Sequence, residues 1–213
     1  EIITKERPDY LGVAFDHGKT FRHEAFPAYK AQRQETPEDI TQSVPIIKEI
    51  LRAFHIPILQ ADGFEADDVI GTLAIKAPDK DYGQLIRKNV FMYRPRHGGG
   101  YDVIGEHEIA EKYGISTPAQ VIDLLALMGD SADNFPGCPG IGEKTAVKLI
   151  NEFGSTESLI LHVDQLKGKM REKVENAVED IKMSKFLATI RTDVPMELHL
   201  DELKLQSPDE EKL

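Results

Sequence analysis

The stretch Met128–Ile150, MGDSADNFPGCPGIGEKTAVKLI, decides how the second half of the chain folds. Apolar sequence at Leu124–Met128 and again beyond Thr145 brackets a segment rich in Gly, Pro and Asp. The glycines of Gly137-Cys138-Pro139-Gly140-Ile141-Gly142-Glu143-Lys144-Thr145 permit a tight hairpin leading into a helix that begins near Gly142. Free backbone N–H groups and the positive end of the helix dipole would then point outward, an arrangement that can hold a phosphate. Gly137 and Gly142 have the spacing of a phosphate-binding P-loop, but Glu143 separates Gly142 from Lys144-Thr145. The string also follows an apparent helix rather than a strand, so a nucleotide-hydrolase reading fails on both spacing and context.

On either side of the hairpin the pattern is helical: Pro118–Met128, Gly142–Phe153, Glu157–His162 and Lys167–Ile190 read as helices separated by Gly and Pro. From Pro195 the sequence becomes polar, with Ser207-Pro208-Asp209-Glu210-Glu211-Lys212, and reads as a linker. The first half alternates strands and helices. Tyr10–Phe15 (YLGVAF) is an apolar run that stops at Asp16, the pattern of a buried strand with a carboxylate at its C-terminal edge. Thr36-Pro37-Glu38-Asp39 opens a helix through about Ala53, with Ile40, Val44, Ile47 and Leu51 expected on its buried face. Ile56–Leu59 is a second strand candidate. Glu65–Ala77 reads as a helix with an acidic first turn and an apolar stripe at Val69, Ile70 and Leu73. Val90–Tyr93 and Tyr101–Ile104 flank Gly98-Gly99-Gly100, which suggests a hairpin or a loop between two strands.

With 213 residues and 40% hydrophobic content, the chain can bury a core. Its single cysteine, Cys138, cannot form an internal disulfide and reads as a filler in a turn. No run approaches the length of a membrane span, so a reducing compartment, the cytoplasm, is expected, with no membrane partner. The opening EIITKERPDY has neither an initiator Met nor a signal-peptide stretch and reads as a cut end. A net charge of −11 argues against nucleic acid, whose affinity comes from Lys and Arg. The objection weakens if the acids gather around cations, which convert a carboxylate cluster into a phosphate-binding surface.

Four acidic groups stand beside apolar sequence: Asp16, Glu65-Ala66-Asp67-Asp68, Asp79-Lys80-Asp81 and Asp130-Ser131-Ala132-Asp133. Taken singly, such acids suit helix N-termini and turns. Taken together they are harder to explain, because carboxylates about 4 Å apart repel by roughly 4 kcal/mol per pair at an effective dielectric of ~20. Their convergence would require a cation, and oxygen-only donors favour Mg²⁺ or Mn²⁺ over zinc.

Four motifs carry a family resemblance: FRHEAFPAYKAQRQETPEDI at Phe21–Ile40, GFEADDVIGTLA at Gly63–Ala74, PDKD at Pro78–Asp81 and the Met128–Ile150 stretch. In that order they resemble the 5′ nuclease domain of bacterial DNA polymerase I, within the flap endonuclease family. The resemblance runs from about Tyr10 to Val194.

It implies an α/β fold: a central, mostly parallel sheet with flanking helices (a PIN-like 5′ nuclease core) and a helical helix-hairpin-helix subdomain. Residues 1–115 would form the core, 116–194 the helical subdomain that adds Asp130 and Asp133 to the active site, and 195–213 a tail. The implied metal ligands are Asp16, Glu65, Asp67, Asp68, Asp79, Asp81, Asp130 and Asp133, holding two or more Mg²⁺ or Mn²⁺ ions for two-metal hydrolysis. Lys30 and Arg33 would meet the transition-state charge, and Tyr29 would stack on an unpaired base. Lys19 and Arg22 would be further, weaker phosphate contacts. Gly137, Gly140, Gly142, Lys144 and Thr145 would grip the duplex backbone without reading bases, with K⁺ in that loop. Lys144, Lys148, Lys167, Lys169, Arg171 and Lys173 put positive charge in the helical half. The expected partner is DNA with a 5′ flap or 5′ end, nicked or branched or carrying an RNA primer, and a covalently linked polymerase domain; the expected state is a monomer.

Two departures from the family pattern stand out. The chain begins after the strand and helix that open the family, whose Asp is a metal ligand. Glu65–Ala77 also runs straight into Pro78-Asp79-Lys80-Asp81, with no room for the strand that would place Asp79 and Asp81 at a sheet edge. Residues are therefore expected to be missing between Ala77 and Pro78, and a molecule lacking both features would have impaired activity. The rival reading is a non-catalytic DNA-binding module using only the helix-hairpin-helix, which has no use for eight acids near a phosphate channel. A protein-interaction domain with an acidic surface would leave the order of the four motifs unexplained.

Overall fold

A computed structural model describes residues 2–76, 90–197 and 199–211. The question of residues missing between Ala77 and Pro78, and the placement of Asp79 and Asp81, fall outside this range. The chain divides into two compact units, the first made of Glu1–Glu24, Gln34–Leu73 and Arg191–Leu213 and the second of Ala25–Arg33 and Ala74–Ile190.

The first unit holds helix α1 (Ile2–Glu6), strand β1 (Val13–Ala14), helices α2 (Phe21–Ala25) and α3 (Glu38–Ala53), strand β2 (Ile58–Leu59) and the start of α4 (Ala66–Lys76). Strands β1 and β2 pair in parallel, Val13 beside Ile58 and Ala14 beside Leu59. The expected parallel sheet is thus a two-stranded pair among the described residues. A parallel pair needs a crossover between its strands, and α3 supplies it. The core under the pair gathers Leu59, Val69 and Val194, with Phe64, Leu73 and Leu203 packed around them.

Helix α3 occupies the expected span, but its expected buried stripe lies largely in solvent. Ile40 and Ile47 are exposed, as are Ile46 and Ile50, while Ala53 at the C-terminal end is buried. In α4, Val69 is buried and Leu73 half-buried, whereas Ile70 is exposed. The tail corrects another expectation, since it is docked on the first unit. The N–H of Leu205 donates to the Asp9 carbonyl at 3.0 Å, Leu11 N–H to Leu203 at 2.8 Å and Asp209 N–H to Ala53 at 2.7 Å, and Leu203 fills the core beside Gly12. Polar composition concealed this anchoring, which uses backbone hydrogen bonds and a few apolar side chains.

The second unit opens with the antiparallel hairpin β3 (Met92–Pro95) and β4 (Tyr101–Ile104), followed by α5 (Glu106–Tyr113), α6 (Gln120–Met128), α7 (Glu143–Phe153), α8 (Thr156–Leu161), α9 (Gly168–Asn176) and α10 (Val178–Ala188). Helix α5 adds to the expected set: Glu108 accepts from the Gly105 N–H at 2.8 Å at its start, and Gly114 ends it at φ 64°. The single helix expected over 167–190 is two. At Ala177 the backbone leaves helical geometry (φ −107°, ψ 12°), and Val174 and Ile181 on either side of the break are both fully buried. The core of this unit is helix on helix, with Leu124, Leu127, Ile150, Leu159 and Ile181 at its centre.

Candidate active site

The C-terminal end of β1 and the N-terminal end of α4 bring the first acidic group together. Asp16 is exposed, and one of its oxygens accepts the Ala66 N–H at 2.7 Å, satisfying a free donor of the first helical turn. Glu65 is buried at the start of α4, and Asp67, two residues on, is exposed.

Asp68 departs from the expected role. It has no solvent exposure, and both carboxylate oxygens are occupied. Arg22 grips them as a fork, Nη1 donating to Oδ2 at 2.7 Å and Nη2 to Oδ1 at 2.8 Å. The backbone N–H groups of Arg191 (2.7 Å) and Glu65 (3.0 Å) complete the set. Burial pushes the Asp68 pKa up, but these four donors outweigh it and hold the carboxyl below the ordinary range. Asp68 is therefore a satisfied buried anion, not an open ligand. Arg22 is correspondingly 2% exposed, stacked at 4.5 Å over the Phe21 ring, and offers no surface to a phosphate. Lys19 remains exposed.

In the second unit the acids lie in the turn between α6 and the hairpin. Asp130 Oδ1 accepts the N–H groups of Ala132 (2.7 Å) and Asp133 (3.2 Å), and the Asp130 and Phe135 backbones exchange two hydrogen bonds. The segment 26–33 docks on this turn as a series of tight turns rather than a helix. Lys30 adopts φ 56°, its N–H donating to the Asp133 carbonyl at 2.9 Å, and the Asn134 side chain donates to Ala28 at 2.7 Å. Arg33 reaches Asp133 Oδ1 at 2.5 Å from an exposed position. The expected stacking role of Tyr29 does not fit its placement. The ring is 3% exposed in a cluster with Phe135 and Leu187, and its hydroxyl donates to Asp133 Oδ2 at 3.3 Å. An aromatic beside two cations in sequence gave no sign of which face it would bury.

The hairpin is held by backbone contact. Gly129 and Gly137 both have positive φ (72° and 61°), and a Cβ on Gly137 would lie 2.2 Å from the Gly129 nitrogen. Gly137 is buried, with its N–H donated to Ser184 Oγ at 2.9 Å, so it supports the loop rather than facing a ligand. Gly140, Gly142 and Lys144 are exposed and Thr145 half-buried. Gly142 caps α7, accepting from the N–H groups of Thr145 and Ala146 and leaving the first turn's remaining donors outward. The ammonium of Lys173 donates to the Gly140 carbonyl at 2.9 Å. Cys138 is buried against the Lys173 carbonyl, and burial pushes its thiol pKa up, which suits an inert filler.

One buried carboxylate went unread in the sequence. Asp123 on α6 accepts from the Thr156 N–H (2.9 Å) and hydroxyl (2.8 Å) at the start of α8 and from Lys185 on α10 (2.6 Å). It ties three helices together; a lone acid inside an apolar helix was its only signal.

As a donor set the remaining acids are oxygen-only, the chemistry of Mg²⁺ or Mn²⁺. Asp16, just after β1, lies beside the start of α4 where Glu65 and Asp67 stand, and Asp130 and Asp133 share one turn. Among the described residues no group of three or more acid, His or Cys side chains is already gathered as a closed metal cage. Ions held by one or two carboxylates plus water need no such cage, and the donors fit ions of this kind.

Comparison with known proteins agrees with these features. Residues 1–114 match the 5′-3′ exonuclease N-terminal resolvase-like domain, and residues 116–211 the 5′-3′ exonuclease C-terminal SAM fold. The chain is 43% identical over its full length to DNA polymerase I of Bacillus caldotenax, of which it spans 26%. It is 38% identical over its full length to the 5′-3′ exonuclease of Aquifex aeolicus, covering 75% of that protein. Among solved structures, the T5 D15 protein co-crystallised with metal ions superimposes with a TM-score of 0.69 at 25% identity, over 90% of this chain and 78% of that one. The catalytic core of Rad2 in complex with DNA shares the fold, with a TM-score of 0.55 at 16% identity, over 92% of this chain and 69% of that one. With both family domains matched in order across its length, this chain belongs to the 5′-3′ exonuclease family.

Proposed function

We propose that the chain is a structure-selective 5′ nuclease, a 5′-3′ exonuclease and flap endonuclease that hydrolyses DNA phosphodiesters in primer removal and repair. The observation that carries the reading is the pairing of oxygen-only acidic groups with an outward-facing hairpin-helix element in one chain of this family. Asp16, Glu65 and Asp67 in the first unit and Asp130 and Asp133 in the second would hold divalent ions, with Asp79 and Asp81 assigned to the same role by their motif. Bound there, such ions supply Lewis acidity and an activated water. The protein's own groups bind and orient. Gly140, Gly142 and Lys144 present N–H donors and charge, and Thr145 its hydroxyl, to backbone phosphates, so selectivity comes from the shape of a junction and its 5′ end rather than from base sequence. Lys30 and Arg33 place positive charge for the scissile phosphate, and Lys19 adds an exposed cation.

Mg²⁺ is the ion best suited to this donor set, with Mn²⁺ as its substitute, and the hairpin carbonyls are a site for K⁺. In a longer chain the domain would act beside a polymerase domain, as a monomer in the bacterial cytoplasm. The rival, a binding module without catalysis, is separated by one substrate panel: 5′-flap, 3′-flap and blunt duplexes, each assayed for binding and for cleavage with Mg²⁺. The nuclease reading predicts cleavage confined to substrates with a 5′ end or flap. Binding to all three with no cleavage in Mg²⁺ or Mn²⁺ would favour the rival.

A further inference from the structure

Arg22 and Asp68 form the most enclosed charged pair among the described residues, with side-chain exposures of 3% and 0%. A buried ion pair is often only a feature of packing. This one has contacts that lead directly to the acidic group. The same Nη1 that grips Asp68 lies 3.3 Å from Glu65 Oε2, and Glu65 is itself nearly buried, its side chain 10% exposed. Asp68 Oδ2 also accepts the Glu65 N–H, while Asp16 accepts the N–H of the next residue, Ala66. Main chain and side chain of Glu65 are thus fixed from one guanidinium and one carboxylate, at the point where Glu65 and Asp67 leave the helix. Arg22 also supplies the cation that offsets Asp68, so this fourth acid adds little repulsion to its neighbours.

We infer that Arg22 and Asp68 are positioning residues: Asp68 is not a metal ligand, and the pair sets the orientation of Glu65 and Asp67 towards a divalent ion. Outer groups that orient metal ligands typically change metal affinity or activity by about 10–100-fold when altered. This inference rests on the nuclease reading, and the test separates the two.

The whole chain and its Arg22→Lys variant are compared for Mn²⁺ binding without DNA, by the loss of the free-ion electron paramagnetic resonance signal, for thermal unfolding, and for 5′-flap cleavage against Mg²⁺ concentration. Lysine keeps the charge and loses the fork. The expected result is Mn²⁺ affinity weakened roughly 10–100-fold, a matching rise in the Mg²⁺ needed for half-maximal rate, and recovery of the rate at saturating Mg²⁺. A folded variant with a lowered unfolding temperature but unchanged Mn²⁺ affinity and Mg²⁺ midpoint would make the pair purely structural. A second measurement needs no variant: side-chain carboxyl ¹³C signals of the wild-type chain during Mg²⁺ addition. Glu65 and Asp67 should shift while Asp68 stays unmoved; an Asp68 shift as large as theirs would make it a ligand and overturn the inference. Wild-type protein that neither binds Mn²⁺ nor cleaves would overturn the nuclease reading as well.

Discussion

The start of α4 in the first unit and the Asp130–Phe135 turn in the second each carry acids of the kind that bind divalent ions, yet they are built differently. At α4 one carboxylate, Asp68, is sunk in the core with four hydrogen-bond donors, and Asp67 beside it faces solvent. At the turn the Asp130 carboxylate is held by the backbone N–H groups of Ala132 and Asp133, and the Asp133 carboxylate by the Tyr29 hydroxyl and the exposed Arg33. Motif identity therefore does not assign a role to each acid. Solvent access and the number of donors already satisfied do so, because a carboxylate whose lone pairs are spent has nothing to offer an ion.

The sharpest way to break this contrast is at the exposed Asp67 and the half-buried Asp130. Asp67→Asn and Asp130→Asn should each lower 5′-flap cleavage in Mg²⁺ by about 10³-fold or more, since metal stabilisation is worth several kcal/mol. Single-turnover rates would show it, with circular dichroism spectra like the wild type's. The buried acid should respond in stability. Asp68→Ala leaves the Arg22 guanidinium buried without its partner and should cost about 3–5 kcal/mol in denaturant unfolding. A loss within the surface range, below about 0.5 kcal/mol, would contradict the burial argument.

The turn depends on its glycines unequally. Gly137→Ala meets both a positive φ and a backbone nitrogen 2.2 Å away and should destabilise by about 2–4 kcal/mol, whereas Gly142→Ala meets open space at φ −96°. Equal unfolding midpoints for the two would contradict the packing described. The smallest expected effect concerns pH at the Asp123–Lys185–Glu157 group. Burial lowers the Lys185 pKa, but hydrogen bonds to Asp123 and Glu157 outweigh it and leave it raised; for Glu157 burial raises, yet the Lys185 hydrogen bond leaves it lowered. The raised Lys185 contributes stability that is complete below its unfolded pKa and is lost as pH climbs through the higher folded value. The lowered Glu157 contributes stability present above its unfolded pKa and lost as pH falls through the folded one. Unfolding measured across pH in wild type and Lys185→Met should show a plateau through neutrality in the wild type that is shallower in the variant.

Much of this was legible in the sequence. Period and caps located α3, α4, α6, α7 and α8, and the apolar run ending at Asp16 put that carboxylate at the C-terminal end of a strand; its contact with the start of α4 came only with the structure. The four motifs in order gave the family, which the matched domains bear out. What the sequence withheld was burial. Asp67 and Asp68 are adjacent and chemically alike, yet one faces water and the other Arg22, 46 residues away. Tyr29 beside two cations suggested stacking, while a hydrogen bond to Asp133, 104 residues on, fixes it in the core. The docked tail and the exposed stripe of α3 were hidden for the same reason: local pattern shows which face is apolar, not what lies opposite it.

The most direct test of the account is 5′-flap cleavage by the whole chain as Mg²⁺ is varied and then removed with EDTA. The account predicts cleavage near the junction that rises with Mg²⁺, stops on chelation and returns when Mg²⁺ is restored. Cleavage that continues in EDTA, or a folded, flap-binding protein that never cleaves at any Mg²⁺ or Mn²⁺ concentration, would contradict it.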